Sequence, residues 1–500
     1  MSSGSTCNPN QPWQNWAGTL TNTPQCTFYP ESESDLVAIA NQARQNGKTA
    51  RAVGSGHSWS PGAVTPDYLV VCNEMRKITP SAGPDPANPG QQLLLLTVEP
   101  GVSQGEAAAA AARFSTPMTF PTLGVIPSIT LGGFIANGCH GTGWSQPTVV
   151  DLVYGMRVVQ ADGSVAVYSE AETPDLMPLV RCNLGGFGLI SSITFKMVPM
   201  FNLSVVNTSL PMSQVADRND PTVLQNVVTS HPYVEIFWFP FNEEVWLKYY
   251  DNTTEPPSRT PLQEAWNQIF QFLSTAAGGW ILDKLSEHPE ATPEISKFLY
   301  QMAKLTFSNY VSQAPGAFLY QSESFPVADC ELAIPLPTNN GSPDFTAANQ
   351  AWYEIVDSVN AQAAKGDFPL NVSAHARFIQ NSQTLMSPVY EPAGSTTHYC
   401  YIEFVSYQPQ QQPLGQQRLA DYQAFVDLVA QQWMALGGRP HWGKLIQNIP
   451  GIFPYVYKVF GGGEPGSNLT QYSNFRQQMD PTGMFLNTYL QEILTGKAIS

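Results

Sequence analysis

Apolar residues recur at Leu36, Ile39, Ala40 and Ala43, the roughly 3.6-residue period of an amphipathic helix. Ser32 or Ser34 stands where an N-cap is expected and Gly47 follows the last periodic residue, so the pattern predicts a capped helix ending there. TARAV (49–53) then reads as a short strand running directly into a glycine-rich turn, Gly54 to Gly62. DYLVV (67–71) and QLLLLTVEPG (92–101) read as strands separated by a Pro/Gly-rich loop at 79–91. A second glycine cluster, LGGFIANGCHGTG (131–143), precedes DLVYGMRVVQADGSVAVYS (151–169), a hairpin with Asp162-Gly163 at its turn. LGGFGLISSITFKMVP (184–199) adds one more glycine-led strand.

The texture changes near residue 200. From there to about 440, aromatic strands such as VEIFWFPF (234–241) and CYIEFVSY (400–407) mix with longer helical stretches. GGRPHWGK (437–444) and a helix-and-loop segment close the chain. Residues 265–282 carry no charge, but Asn267, Gln268, Gln271 and a Gly pair are costly in a bilayer core. The stretch reads as a buried helix, with an interfacial or oily-substrate patch as the alternative, and no transmembrane segment is expected.

Composition narrows this picture. The 500 residues allow two domains, and 43% hydrophobic content marks a globular protein. Charged residues are only 12%, about half the usual share, which with abundant Pro and Gly reads as loop-rich α+β. A net charge of −16 argues against nucleic acid and leaves small molecules as the expected partners. Seven scattered cysteines without a CxxC pair support neither a zinc site nor a dense disulfide scaffold. The N-terminus shows no signal-peptide pattern, which tilts the expectation towards the cytoplasm, although low Lys content and several sequons would suit a secreted protein. Oligomeric state is not readable from these features.

The turn Gly54-Ser55-Gly56-His57-Ser58 offers consecutive backbone N–H groups that form an anion-binding concavity. It lacks the sixth-position glycine of G-x-G-x-x-G and the Lys of a P-loop, and Gly56-His57-Ser58-Trp59-Ser60 lacks the last glycine of a nucleophile elbow. Alone it reads equally well as a structural turn. Two such clusters some eighty residues apart, both read as preceding strands, fit one extended dinucleotide better than two accidental turns.

RAVGSGHSW, LGGFIANGCHGTG and LGGFGLISSITFKMVP together resemble the FAD-binding (PCMH-type) domain of the vanillyl-alcohol oxidase family. The resemblance implies an FAD site built from Gly54, Ser55, Gly56, His57 and Ser58, from Gly133, Asn137, Gly138, Cys139, Gly141, Thr142 and Gly143, and from Ile190. The His of the G-H-S turn is frequently the 8α-linked attachment point in that family, so His57 is the implied covalent anchor. WFPFNEEVWLKYYDNT (238–253), GGRPHWGK and DPTGMFLNTYL (480–490) are similar to aldonolactone oxidases, with alditol oxidase a close relative. The implied fold is a two-part FAD-binding α/β domain (1–200, with 441–500 returning to it) and an α+β substrate domain (201–440) on an antiparallel sheet.

Such enzymes carry Glu-x-Arg on a strand facing the flavin and a Lys from an H-W-x-K segment. Here VSAHARF (372–378) matches that strand, with Arg377 retained and His375 in the place of the Glu; Lys444 and His441 match the second element. His375 and Arg377 are two apart and share a strand face. His375 or Lys444 is then the proton acceptor, and Arg377 supports negative charge. Packing of His441 on Trp442 and backbone bonding of His140 are the expected structural roles of those two. The expected activity is hydride transfer from a carbohydrate-type alcohol or aldonolactone to flavin N5, with O2 reoxidation to hydrogen peroxide. The alternatives are a bulkier alcohol such as a sterol, a non-oxygen electron acceptor, or a flavin- or sugar-binding protein whose catalysis was lost with the Glu.

Overall fold

The computed structural model describes residues 3–258, 276–305, 307–321 and 325–499. Most of the uncharged stretch 265–282 lies outside the described residues; its end enters the helix Ala276–Glu287. Among the described residues no helix is long and apolar enough to cross a membrane.

The helix Glu33–Asn46 forms as its pattern predicts. Ser32 Oγ accepts from the Asp35 N–H, and Gly47, at φ +62°, closes the last turn with its N–H on Ala43 and Arg44 carbonyls. Leu36, Ile39, Ala40 and Ala43 are buried against Phe28, Tyr68 and Val70 of a small sheet. That sheet runs Asn8–Pro9, Cys26–Phe28, Tyr68–Val71, Ala50–Val53, with its last three strands parallel. A Cys7–Cys26 disulfide ties its edge, and the other five cysteines are free.

A second, antiparallel sheet runs Val165–Ser169, Val153–Val159, Leu189–Pro199, Gln92–Val98, Ile78–Pro84. The Asp162-Gly163 hairpin is present, with Gly163 at φ +85°. One reading is corrected here and one refined. The loop expected at 79–91 begins as the strand Ile78–Pro84; Pro80 and Pro84 are tolerated because this strand is the sheet edge. The glycine cluster at 131–143 is followed by the strand Val153–Val159, as read, but the cluster itself opens with the short helix Leu131–Ala136, where Gly132 packs on Pro100 with no room for a Cβ.

The remainder is built on an eight-stranded antiparallel sheet: Tyr310–Gln313, Asn202–Pro211, Glu244–Thr253, Tyr233–Trp238, Ser373–Gln380, His398–Tyr407, Val327–Leu336, Arg439–Pro440. One face is apolar: Phe404 meets Phe425 and Trp433 of the helix Leu414–Ala435. By the strand pleat, Glu403 and His375 turn to the opposite face.

The segment after 480 reaches back to the parallel sheet. Met484 and Phe485 join the core beneath the first helix, and the Ala50 N–H donates to Met484 O at 2.8 Å. Arg51, buried, donates to the carbonyls of Gly62, Leu184, Gly185 and Phe485 at 2.6–2.9 Å, so its side chain ties its own strand to three other stretches of chain.

Candidate active site

The first two glycine clusters are latched to each other. Ser55 N–H donates to Thr130 Oγ1 at 3.1 Å and Thr130 N–H donates to Ser55 Oγ at 3.2 Å. A Cβ on Gly54 would lie 1.8 Å from Thr130 Oγ1, which explains the glycine there. Gly56, at φ +71°, turns the chain so that His57 stacks on Trp16 with centroids 5.1 Å apart.

One cavity of about 280 Å³ follows from this latch. Its lining runs from Arg51–Ser60 past Gly132, Gly133, Asn137 and Gly185 to His375, Arg377, Glu403 and Lys444 on the large sheet. Its extent, from a glycine turn over a parallel sheet to a charged sheet face, fits an extended dinucleotide with its reactive end at the charges.

The charged end is a set of cross-strand neighbours. Register places Trp246, Phe237, His375, Glu403 and Glu331 in one row across five strands. A second row, two residues along, holds Lys248, Glu235, Arg377 and Tyr401. Phe237 stacks on His375 at 3.9 Å and on Trp246 at 4.4 Å. Lys444 enters from the loop after Arg439–Pro440, its chain held by the Lys444 N–H on His441 O.

Glu403 is the hub. Its Oε1 accepts from His375 Nδ1 at 2.9 Å, and its Oε2 lies 2.9 Å from Lys444 Nζ and 3.4 Å from the Arg377 guanidinium. Lys444 also donates to Asp329, and Arg377 donates to Glu331 Oε1 at 2.6 Å. With Nδ1 turned to a carboxylate, the neutral His375 ring leaves its Nε2 as an acceptor; that atom is buried in the cavity lining and has no partner among the described residues.

Burial opposes the charge on Lys444, but Asp329, Glu403 and Glu331 outweigh it and raise its pKa, so Lys444 stays a cation. Burial also opposes ionisation of Glu331 and Glu403, and Lys444 and Arg377 pull both well below the carboxylate range. Asp329 goes the other way: burial pushes it up to about 8, with Lys444 pulling back and Glu403 and Glu331 adding to the rise. Burial takes His441 down to about 3 and pushes the Cys139 thiol up to about 12, so neither a charged His441 nor a reactive Cys139 is available.

The structure brings His375, Arg377 and Lys444 together at one end of the cavity and places Gly54, Ser55, Gly56, His57, Ser58, Gly133, Asn137, Cys139 and Ile190 in its wall. It places Gly138, Gly141, Thr142 and Gly143 elsewhere. Gly138 packs on Cys182, Pro388 and Trp442, and a Cβ on Gly141 would strike Leu123 O. Thr142 Oγ1 donates to Val234 O, and the Gly143 N–H donates to Phe378 O at 2.7 Å, so this end of the cluster buttresses the strand bearing His375 and Arg377. Trp442 packs at a tilt on Phe460 and not on His441, whose Nδ1 accepts from the Gly443 N–H. His140 is held by Gly141 O, as expected, but its Nε2 also faces Glu331 Oε1 at 3.2 Å. His140, Glu331 and His441 come together closely enough to suggest a cation site. Arg377 already occupies Glu331 Oε1 and a backbone N–H occupies His441 Nδ1, so the trio is a hydrogen-bonded cluster beside a guanidinium.

Asp329 and Glu331 were missed by sequence reasoning. The signal was present: two acids two apart in VADCELAIPL (327–336), an otherwise apolar strand in a chain poor in charge.

Residues 193–493 match the family model described as D-arabinono-1,4-lactone oxidase, and residues 24–169 match the FAD binding domain. The chain is 25% identical over 488 residues to L-gulonolactone oxidase of Mus musculus, covering 96% of this chain and 98% of that protein. It is 24% identical over 483 residues to L-gulono-1,4-lactone dehydrogenase of Mycobacterium tuberculosis, covering 96% and 99%. Among solved structures, a cholesterol oxidase from B. sterolicum superposes with a TM-score of 0.80 at 18% identity, over 97% of this chain and 96% of that one, a likeness of fold.

Proposed function

The chain belongs to the D-arabinono-1,4-lactone oxidase family, and from that premise we propose that it oxidises a hydroxyl of an aldonolactone or related carbohydrate-type alcohol, with O2 as final electron acceptor. It is an FAD-dependent oxidoreductase. When bound, FAD supplies the hydride acceptor. His375 Nε2 takes the hydroxyl proton, while Glu403 holds the ring in the tautomer that keeps this nitrogen bare. Arg377 steadies negative charge on the substrate oxygen, an effect worth roughly 3–4 kcal/mol in comparable donor sites. Lys444, held as a cation, fixes Asp329 and Glu403 and leaves the base role to His375.

The observation that carries this reading is the buried His375 Nε2, without a partner among the described residues, in a residue that lines a cavity also containing Arg377 and the glycine latch. The test is anaerobic reduction of the bound flavin by L-gulono-1,4-lactone, D-arabinono-1,4-lactone, alditols and sterols. Bleaching by a lactone or alditol supports the proposal; bleaching by none of these rejects it. Rapid reoxidation by air would favour an oxidase over a dehydrogenase.

A second reading, a bulkier alcohol, draws on the apolar lining given by Phe237, Phe239, Trp246, Phe325 and Val372, and the sterol arm of the same panel decides it. His57, in the cavity wall beside Trp16, is proposed as the 8α-histidyl anchor. The proposed domain division is 1–200 with 441–500 against 201–440; the contacts of Met484 and Phe485 with the parallel sheet support the return. The Cys7–Cys26 disulfide favours an oxidising compartment over the cytoplasm.

A further inference from the structure

Lys444 Nζ is shared by three carboxylates: it donates to Asp329 Oδ2, lies 2.9 Å from Glu403 Oε2 and lies 3.7 Å from Glu331 Oε2. The second cation, Arg377, reaches Glu331 at 2.6 Å and Glu403 at 3.4 Å. The three carboxylates and Arg377 are each less than one-tenth exposed. Three ionised carboxylates against two cations would leave one uncompensated negative charge in a low-dielectric site, and a buried cluster avoids that by retaining a proton. Glu235, the register partner of Arg377, adds further negative charge to the same neighbourhood, while its own contacts are Lys248 at 3.8 Å and the hydroxyls of Tyr250 and Tyr320.

The geometry selects which carboxylate keeps the proton. Glu331 and Glu403 each touch both cations, whereas Asp329 touches only Lys444. Asp329 Oδ2 carries that contact; Oδ1 is buried without a partner among the described residues, and the residue lines the cavity. The charged groups facing Asp329 are Lys444 from its loop, Glu403 from the adjacent strand and Glu331 from its own strand; Cys330 and Tyr422 feel its charge from the other face. His375 and His140 are the competing proton sites: His375 meets Glu403 through Nδ1 alone, and its Nε2 has no partner among the described residues to hold a second proton, whereas His140 stands beside Glu331. His140 Nδ1 lies 2.8 Å from Gly141 O, and its Nε2 shares Glu331 Oε1 with the Arg377 guanidinium, whose charge disfavours an imidazolium there.

We propose that Asp329 is a neutral carboxylic acid in the working enzyme and that its Oδ1–H donates a hydrogen bond to an acceptor oxygen of the substrate, such as the carbonyl or ring oxygen of a lactone. This rests on the oxidoreductase reading above. It makes Asp329 a recognition residue that fails once ionised, because the donor becomes a negative charge facing substrate oxygen. Burial sets that loss near pH 8.

The test has two independent readouts on the FAD-loaded protein. The first is the infrared band of a protonated carboxyl, followed between about pH 6 and 10. It should be present in wild type, fade as pH rises through about 8, and be absent from Asp329→Asn. No such band in wild type, or a band that persists in Asp329→Asn, overturns the assignment; persistence would move the proton to another acid of the cluster. The second is KM for L-gulono-1,4-lactone and D-arabinono-1,4-lactone. Wild-type KM should rise about tenfold or more across the same transition, and Asp329→Ala should raise it comparably at neutral pH. Asp329→Asn, whose amide offers both an oxygen to Lys444 and an N–H to the cavity, should raise it less than Asp329→Ala, with no further alkaline rise. Equal losses in the two variants, or an alkaline rise retained in Asp329→Asn, overturn the donor role. Lactones that fail to reduce the flavin would overturn the functional reading instead, and the infrared band alone would then uphold or overturn the retained proton.

Discussion

Replacing Glu403 with Gln changes one oxygen to an amide and barely alters shape, yet the geometry predicts a severe loss. Glu403 Oε2 faces two cations, Lys444 at 2.9 Å and Arg377 at 3.4 Å, and Oε1 faces His375 Nδ1 at 2.9 Å. A Gln side chain has a single oxygen, and the cations claim it, since turning the amide N–H group towards them would set donor against donor. The amide N–H then points at His375 Nδ1, which must become an acceptor, so the ring proton moves to Nε2. The nitrogen facing the cavity thus offers N–H where a lone pair is needed. Where a buried carboxylate of a catalytic histidine is exchanged for an amide with this outcome, the loss is about 10⁴-fold. At about 1.36 kcal/mol per tenfold, that is roughly 5 kcal/mol of barrier. The assay is stopped-flow anaerobic flavin reduction by L-gulono-1,4-lactone, with FAD content as the check on folding. Reduction within tenfold of the wild-type rate, at full FAD occupancy, would refute both the tautomer argument and His375 as the base.

Four further expectations follow from the geometry around the cofactor site and core. Arg51→Met orphans four carbonyls and should destabilise the protein by about 3–5 kcal/mol in denaturant unfolding, although it relieves a buried charge whose pKa burial has lowered to about 10; a change below about 1 kcal/mol would show that water replaces the guanidinium freely. Gly54→Ala drives a Cβ into Thr130 Oγ1 and should cut FAD retention on gel filtration, and His57→Ala should give protein whose flavin leaves on acid precipitation while wild type stays yellow. Glu331 has a depressed folded-state pKa, so its contribution to stability is present above its unfolded value near about 4.3 and is lost as pH falls through the folded one; thermal midpoints should drop on acidification below about pH 4, and less steeply in Glu331→Gln.

What the chain discloses by itself is what neighbouring residues set. Ser32 and Gly47 delimit the first helix because capping is a contact within one turn, and His375 and Arg377 share a face because a strand alternates. The edge strand Ile78–Pro84 was hidden because its prolines imitate a loop, and only a position at the sheet edge makes them tolerable. The split role of residues 131–143 was hidden for a different reason. Glycine marks close approach without saying what approaches: Gly133 faces the cavity, whereas Gly141 meets Leu123 and Gly143 bonds the strand at Phe378. Asp329, Glu331 and Glu403 acquire meaning only through the register that sets His375 against Glu403 and Glu403 against Glu331, and register between strands some thirty to seventy residues apart is not written in either strand alone.

That register also bears on the reading in which catalysis was lost when His375 took the place of a Glu. A chain released from catalysis has no reason to keep costly buried charges, because apolar replacements of similar volume are often neutral or stabilising. Here the site holds three buried carboxylates and two cations, and the carboxylate opposite His375 sits at hydrogen-bonding distance from the ring nitrogen that must carry the proton. The imidazole therefore comes with its own orienting acid, one strand across, and a stacked Phe237 that fixes the ring plane. Replacing His375 with Gln keeps a polar side chain but removes the ring nitrogen, so anaerobic flavin reduction by L-gulono-1,4-lactone should slow by about 10²-fold or more at full FAD occupancy. A rate within tenfold of wild type in His375→Gln would mean that the proton acceptor lies elsewhere in the cluster.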